Sequence, residues 1–174
     1  MLEVRWHGRG GQGAFTASKI LGAAVILDGK YALSFPSFGP ERRGAPIQAF
    51  TKIGDSPITD RSVIHKADYI VYLDETLYSE NVKNDLKVGG KIYLNSRNPE
   101  KYDEDPDVTA IDADKISQKV IGRAVSNTVM LSALVLGEKI TGPEQVKSVL
   151  KNFLTEKVAI KNEKIVDEIG EFYE

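Results

Sequence analysis

The 174-residue sequence contains no cysteine. It therefore cannot form a disulfide, use a thiolate, or hold an iron–sulfur cluster through cysteine ligands of its own. Histidine is also scarce, because only His7 and His65 are present and neither has a metal-ligand spacing around it. We predict no metal site in this chain, and we expect His7, at the end of a strand, to be a packed residue and not a catalyst.

The sequence also lacks the features of nucleic-acid-binding and membrane proteins. Its 23 Lys and Arg against 25 Asp and Glu give a net charge of −2, without the basic excess of nucleic-acid-binding domains. The N-terminus does not have a signal-peptide pattern. No apolar run approaches the roughly 20 residues of a membrane-spanning helix. We predict a cytoplasmic protein whose residues 1–174 form a single domain.

Apolar periodicity and turn residues predict an α/β fold. We predict strands at 2–7, 30–35, 47–54, 69–73, 91–94 and 108–112, and helices at 14–27, 127–136, 143–154 and 165–173. The run YIVYL at 69–73 is apolar without alternation, which is typical of a strand buried on both faces of a parallel sheet. The chain should therefore contain a mostly parallel sheet and a helical C-terminal part.

The predicted helix after residue 126 has an unusual composition. Ser126 or Asn127 is the expected N-cap. The helix that follows, to about Leu136, is apolar around most of its circumference. It should therefore be buried in the core or covered by another subunit.

A glycine-rich loop, HGRGGQG at residues 7–13, follows the first predicted strand and precedes the first predicted helix. Gly8, Gly10 and Gly13 match the pattern G-x-G-x-x-G, which requires a strand before it and a helix after it. Glycines let the backbone approach a ligand, and the N–H groups at the start of the helix face an anion. Arg9 would add a charge-assisted contact. The candidate binding residues are Gly8, Arg9, Gly10, Gly11, Gln12 and Gly13.

Three interpretations of this loop remain open. A dinucleotide-binding domain places an acid about 20 residues further on, at the end of the second strand, for the ribose hydroxyls. Here that strand ends in Ser34-Phe35-Pro36, and Asp28 precedes it at a position that suits a turn. The loop would otherwise bind another phosphate-bearing ligand, or its glycines would only permit close packing or an interface.

The second unusual segment is PSFGPERRGAP at residues 36–46, whose three prolines and two glycines exclude a regular element. Long irregular loops in compact domains are often functional. Arg42 and Arg43 suit recognition of a carboxylate or phosphate. Alternatively, Glu41 forms a surface ion pair with an arginine, worth about 0–1 kcal/mol. The loop follows the second strand, so it could lie beside the glycine loop at the carboxyl edge of the sheet.

Together, HGRGGQG and FPSFGPERRGAPIQAF (residues 35–50) resemble the gamma subunits of 2-oxoacid:ferredoxin oxidoreductases. The resemblance extends to DYIV at 68–71 followed by Asp74, and to NTVML at 127–131. It therefore covers most of the chain. It implies a Rossmann-like three-layer α/β domain that works only inside a larger enzyme.

In that family the gamma subunit assembles with alpha, beta and ferredoxin-like delta subunits. The complex decarboxylates a 2-oxoacid on thiamine diphosphate and Mg²⁺, passes electrons through 4Fe–4S clusters to ferredoxin, and transfers the acyl group to coenzyme A. The resemblance implies a pyruvate:ferredoxin oxidoreductase (pyruvate synthase), with 2-ketoisovalerate as the alternative substrate. It implies no catalytic residue and no cofactor held by this chain alone. Our hypothesis is that the glycine loop, with Arg42 and Arg43, helps to bind coenzyme A.

Two other functions compete with this one. A self-sufficient NAD(P)-dependent enzyme would use the same glycine loop, but the missing acid after the second strand argues against it. A non-catalytic module, such as the homologous subunit of indolepyruvate oxidoreductase, is disfavoured by the segment at 36–46. A subunit of a complex should expose apolar patches that its partners cover, and the helix from Asn127 and the loop around Phe35 and Phe38 are the candidates.

Overall fold

The structure, a computed structural model, describes residues 1–37 and 43–173. Within these residues the chain forms one six-stranded sheet and five α-helices. The strands are β1 (Leu2–Arg9), β2 (Tyr31–Pro36), β3 (Pro46–Gly54), β4 (Ala67–Tyr72), β5 (Leu86–Asn95) and β6 (Val108–Ile111). The α-helices are α1 (Ala14–Leu27), α2 (Ala113–Ile121), α3 (Ser126–Gly137), α4 (Pro143–Leu150) and α5 (Glu156–Tyr173).

The strand order is β2-β3-β1-β4-β5-β6. Strands β1, β4, β5 and β6 pair in parallel, whereas β3 is antiparallel to both β1 and β2. All strands but β3 therefore run in one direction, which confirms the predicted mostly parallel sheet. The antiparallel strand has a consequence for the site, because the connection from β2 to β3 turns back at the carboxyl edge of the sheet.

The two faces of the sheet are covered differently. Trp6, Val71 and Tyr93 pack into one apolar cluster with residues of all five α-helices. Ile70 and Leu94 point to the opposite face, which is covered by three short 3-10 helices and the segment before β4. The three-layer arrangement is confirmed, with the difference that the third layer contains 3-10 helices and loops in place of α-helices.

Helix α3 corrects two expectations. It begins at Ser126, but the N-cap position is Val125 and no side chain caps it, so the predicted cap at Ser126 or Asn127 is wrong. Residues 126–135 are all buried within the chain, since α3 packs against α1, α2, α4, α5 and β5. The expectation that this helix offers an apolar patch to another subunit is therefore wrong. Phe35 is also buried, and Phe38 lies outside the described residues.

The C-terminal helices differ in length from the prediction. Helix α4 ends at Leu150, and α5 begins at Glu156, nine residues before the predicted start at 165. Helix α2 was not predicted, although the Asp112 side chain accepts a hydrogen bond from Lys115 N at its start and Gly122 ends it in a left-handed conformation. No single described helix has both the length and the apolarity to cross a bilayer; α2 and α3 meet that test only as a pair bent by 110°.

Candidate functional site

Three loops meet at the carboxyl ends of β1 and β4. The glycine loop spans the end of β1 and the turn before α1, residues 43–45 precede β3, and the loop from Leu73 to Thr76 follows β4. After β1 the chain moves to one side of the sheet, and after β4 it moves to the other. Open α/β sheets bind ligands at such a switch point.

Backbone hydrogen bonds join the glycine loop to the arginine-containing connection. Gly10 N donates to Ala45 O at 2.8 Å, and Gly44 N donates to Gly10 O at 3.1 Å. These bonds bring the exposed Arg43 beside the glycine loop. The predicted adjacency of the two loops is therefore confirmed for the described part, while Arg42 lies outside the described residues. The cause is β3, whose antiparallel direction puts its first residue, Pro46, opposite Arg9 at the end of β1.

The Arg9 guanidinium ties the three loops together. Its Nε lies 3.1 Å from Asp74 Oδ2, its Nη1 donates to Gly44 O at 3.1 Å, and its Nη2 donates to Thr76 Oγ1 at 2.8 Å. Arg9 was predicted to contact an anion directly. Because these bonds occupy much of its donor capacity, the geometry supports a positioning role for Arg9.

Asp74 anchors the glycine loop through a second residue as well. Gln12 Nε2 donates to Asp74 Oδ2 at 3.1 Å, and Gln12 Oε1 accepts a bond of 2.7 Å from Arg9 N. Burial raises the pKa of Asp74, but hydrogen bonds from Thr76 and Gln12 and the charge of Arg9 outweigh it, so the pKa lies below its ordinary value. Asp74 is thus an ionised anchor. The sequence had marked it only through the family resemblance.

The glycines of the loop serve different purposes. At Gly11, φ is +96° and nothing lies within 4 Å of a hypothetical Cβ, so its backbone is open to an approaching ligand. At Gly13, φ is +86° and a Cβ would lie 2.5 Å from Asn127 Nδ2. A Cβ at Gly8 would lie 3.3 Å from that of Ala14. Close packing therefore accounts for Gly8 and Gly13, whereas at Gly11 the space beside the backbone is open.

A cleft of about 460 Å³ opens beside this loop, which is within the size range of small-molecule sites. Asn95 in its wall is fixed, because Nδ2 donates to Leu73 O at 3.0 Å and Oδ1 accepts from Ala113 N at 3.0 Å. Arg97 at its rim is exposed. Neither Asn95 nor Arg97 was predicted to belong to the site. The cleft is lined by Gln12, Leu73, Asp74, Glu75, Thr76, Asn95, Arg97 and Asp114.

His7, the first residue of the glycine loop, lies on β1 and packs against the neighbouring strand. Its ring stacks on that of Tyr72 with centroids 4.4 Å apart. Burial, assisted by the charge of Arg5, lowers the pKa of His7 to about 3. The ring is therefore neutral at physiological pH, which agrees with the expected packed residue.

Groups of metal-binding side chains and the position of the end of β2 are the features that a metal site and a dinucleotide site would use. In residues 1–37 and 43–173, no three His, Cys, Asp or Glu side chains form a group that could hold a metal ion. Strand β3 separates β2 from β1, so the end of β2 lies two strands, about 10 Å, from the glycine loop. Asp28 is the C-cap residue of α1, in agreement with the predicted turn.

Comparisons with known proteins agree with one another. The model of the pyruvate ferredoxin/flavodoxin oxidoreductase family matches residues 3–171. The chain is 42% identical to pyruvate synthase subunit PorC of Methanothermobacter thermautotrophicus, covering 93% of this chain and 90% of that one. It is 39% identical to the pyruvate/ketoisovalerate oxidoreductases common subunit gamma of Thermococcus litoralis, with coverage of 98% and 96%. The crystal structure of the pyruvate oxidoreductase subunit PORC of Thermotoga maritima superposes with a TM-score of 0.82 at 34% identity, covering 98% and 95%.

Proposed function

This chain belongs to the pyruvate ferredoxin/flavodoxin oxidoreductase family, and we propose that it is the gamma subunit of a pyruvate:ferredoxin oxidoreductase, or pyruvate synthase. The complex converts pyruvate and coenzyme A to acetyl-CoA and CO₂, and two electrons leave one at a time to ferredoxin. The observation that carries this proposal is the similarity over nearly the whole chain to subunits named for pyruvate oxidation and synthesis. The alternative substrate is 2-ketoisovalerate, since the Thermococcus relative is named for both oxoacids.

In this proposal the chemistry takes place on other subunits. Alpha, beta and delta partners hold thiamine diphosphate, Mg²⁺ and the 4Fe–4S clusters. Ferredoxin accepts electrons from these partners and not from this chain. The complex works in the cytoplasm. The donor set of this chain supports that division, because it has no cysteine and its described residues contain no group suited to a metal. The chain's own contribution is to bind and orient, without a catalytic residue.

The ligand that this chain helps to bind is coenzyme A, which carries a phosphate monoester and a diphosphate. The open backbone at Gly11, the N–H groups at the start of α1 and the exposed Arg43 lie together at the carboxyl edge. Amides at a helix start and guanidinium groups both suit phosphate oxygens. Arg42 precedes Arg43 in the same loop. Arg9 and Gln12 hold the loop in place, and Gly8, Gly10 and Gly13 shape it.

Assembly with the partners tests the subunit assignment. The chain purified alone should neither oxidise a 2-oxoacid nor retain a nicotinamide cofactor. Co-expressed with alpha, beta and delta subunits, it should copurify with them and restore pyruvate- and coenzyme A-dependent reduction of ferredoxin to a complex that lacks it. Comparison of kcat/KM for pyruvate and 2-ketoisovalerate then identifies the substrate. Oxidation of pyruvate by the isolated chain would refute the proposal.

The arginine pair gives a test of coenzyme A binding. In the assembled complex, Arg42→Ala with Arg43→Ala should raise the KM for coenzyme A about tenfold or more, because charge-assisted bonds to phosphate are lost. The KM for pyruvate should not change. Lys161→Ala, at an exposed position on α5, is the control for loss of a surface charge. Unchanged coenzyme A kinetics in the double variant would reject the coenzyme A part of the proposal.

A further inference from the structure

The first turn of α3 is polar, although it is buried. Ser126, Asn127 and Thr128 are only 6%, 8% and 1% exposed, and the apolar part of the helix follows them. Asn127 Oδ1 accepts a bond of 2.9 Å from Thr128 N, but its Nδ2 forms no hydrogen bond to any residue that the structure describes. Among the described residues this nitrogen is also not one of the fully enclosed polar atoms that lack a partner, so it is a donor that a ligand can reach.

The Asn127 side chain lies beside the glycine loop. Its Nδ2 lies against Gly13, at 2.5 Å from where a Cβ of that glycine would be. The preceding Ser126 Oγ lies 3.5 Å from the carbonyl oxygen of Leu73, a residue of the cleft. Helix α3 therefore begins between the glycine loop and the end of β4, with the Asn127 amide directed at the start of α1.

The electrostatics of the two helix starts are also distinctive. Helices α1 and α3 have neither a side-chain cap nor an acidic residue in the first turn. Helices α2, α4 and α5 each have an acid there. The first N–H groups of a helix have no partner within the helix and carry a partial positive charge. The two helix starts without acids are thus the two that meet beside the glycine loop.

From these contacts we infer that Asn127 is a ligand-binding residue, whose Nδ2 donates to the same phosphate group that the glycine loop binds. The start of α3 adds positive potential to that of α1. The ligand group is a phosphate of coenzyme A, so the inference rests on the proposed function. It extends the site to a helix that lies more than 110 residues beyond the glycine loop in the sequence.

Asn127→Asp in the assembled complex tests this inference. The substitution keeps the size of the side chain and an acceptor for Thr128 N, but it replaces the amide donor with a charged oxygen. The KM for coenzyme A should rise about tenfold or more, since a bond to a charged group becomes a repulsion. Inorganic pyrophosphate should inhibit the variant less well in competition with coenzyme A. The KM for pyruvate should not change.

The thermal stability of the variant separates binding from packing. An acid in the first turn favours a helix, so Asn127→Asp should leave the melting temperature unchanged or raise it. Thr128→Val is the matched control, because its enclosed hydroxyl has no partner among the described residues and cannot reach a ligand. This control should leave the KM for coenzyme A unchanged. If Asn127→Asp prevents assembly, Asn127→Ser is measured and judged by the same KM.

The arginine variants distinguish a failure of this inference from a failure of the proposed function. If the arginine double variant raises the KM for coenzyme A but Asn127→Asp does not, Asn127 only packs and the inference is overturned. If neither changes that KM, the site does not bind coenzyme A, and both proposals fail. A raised KM in both, with melting temperatures preserved, supports both.

Discussion

Gly13→Ala is expected to lower the free energy of unfolding by about 2–5 kcal/mol, whereas Gly11→Ala should cost about 1–2 kcal/mol. Both glycines have positive φ, at +86° and +96°, so both variants carry the strain of a left-handed L-residue. They differ in their surroundings. The new Cβ at position 13 would lie 2.5 Å from Asn127 Nδ2 and 3.1 Å from its Cγ, but at position 11 it meets nothing within 4 Å.

The neighbour of Gly13 cannot move away at low cost. Asn127 is 8% exposed, and its Oδ1 holds the Thr128 amide. Overpacking in such a place costs about 1–3 kcal/mol beyond the backbone strain. Asn127→Ala should therefore recover about that much in the Gly13→Ala background, and none in the Gly11→Ala background.

Chemical denaturation of the isolated chain measures all five forms, from the wild type to the two double variants. The free energies of unfolding extrapolated to water can be compared if the slope of free energy against denaturant concentration is the same for each form. Equal losses for Gly11→Ala and Gly13→Ala would show that α3 does not pack on the glycine loop as described. That outcome would also remove the positional support for Asn127 in the ligand site.

Acidification from pH 7 to pH 5 is expected to remove about 2 kcal/mol of stability through His7 alone. The pKa of this histidine is lowered from 6.5 to about 3 in the folded chain, chiefly by burial. Between these two values the unfolded chain binds a proton that the folded chain does not. The contribution of His7 to stability therefore rises with pH throughout that window and is complete above the unfolded pKa of 6.5.

His7→Phe isolates this contribution. Phenylalanine keeps an aromatic ring beside Tyr72 but does not titrate, so the stability of the variant should depend less on pH between 5 and 7. The quantity to compare with the wild type is the slope of unfolding free energy against pH, not the absolute stability of the variant. A slope unchanged by His7→Phe would show that His7 is protonated in the folded chain at pH 5.

The elements of the fold could largely be predicted from local sequence. Helix α1 has the predicted bounds, and each strand overlaps its predicted range, although β5 begins at Leu86, five residues before the predicted start at 91. Periodicity also showed that the run at 69–73 is buried on both faces. Helix α2 was missed because its nine residues are short for a periodic signal. The predicted start of α5 was wrong because contacts with α2, α3 and α4 stabilise helical residues that precede its most apolar part.

The sequence by itself determined that this chain has no thiol chemistry, and that a glycine loop lies between its first strand and its first helix. Only the tertiary structure decided that β3 lies antiparallel beside β1, which brings Arg43 and Gly44 to the glycine loop. The same is true of the Asp74 anchor, which lies 62 residues from Gln12, and of Asn127 against Gly13. Local patterns report which face of an element is apolar. They do not report strand order or contacts between distant polar residues, because those depend on how whole elements pack together.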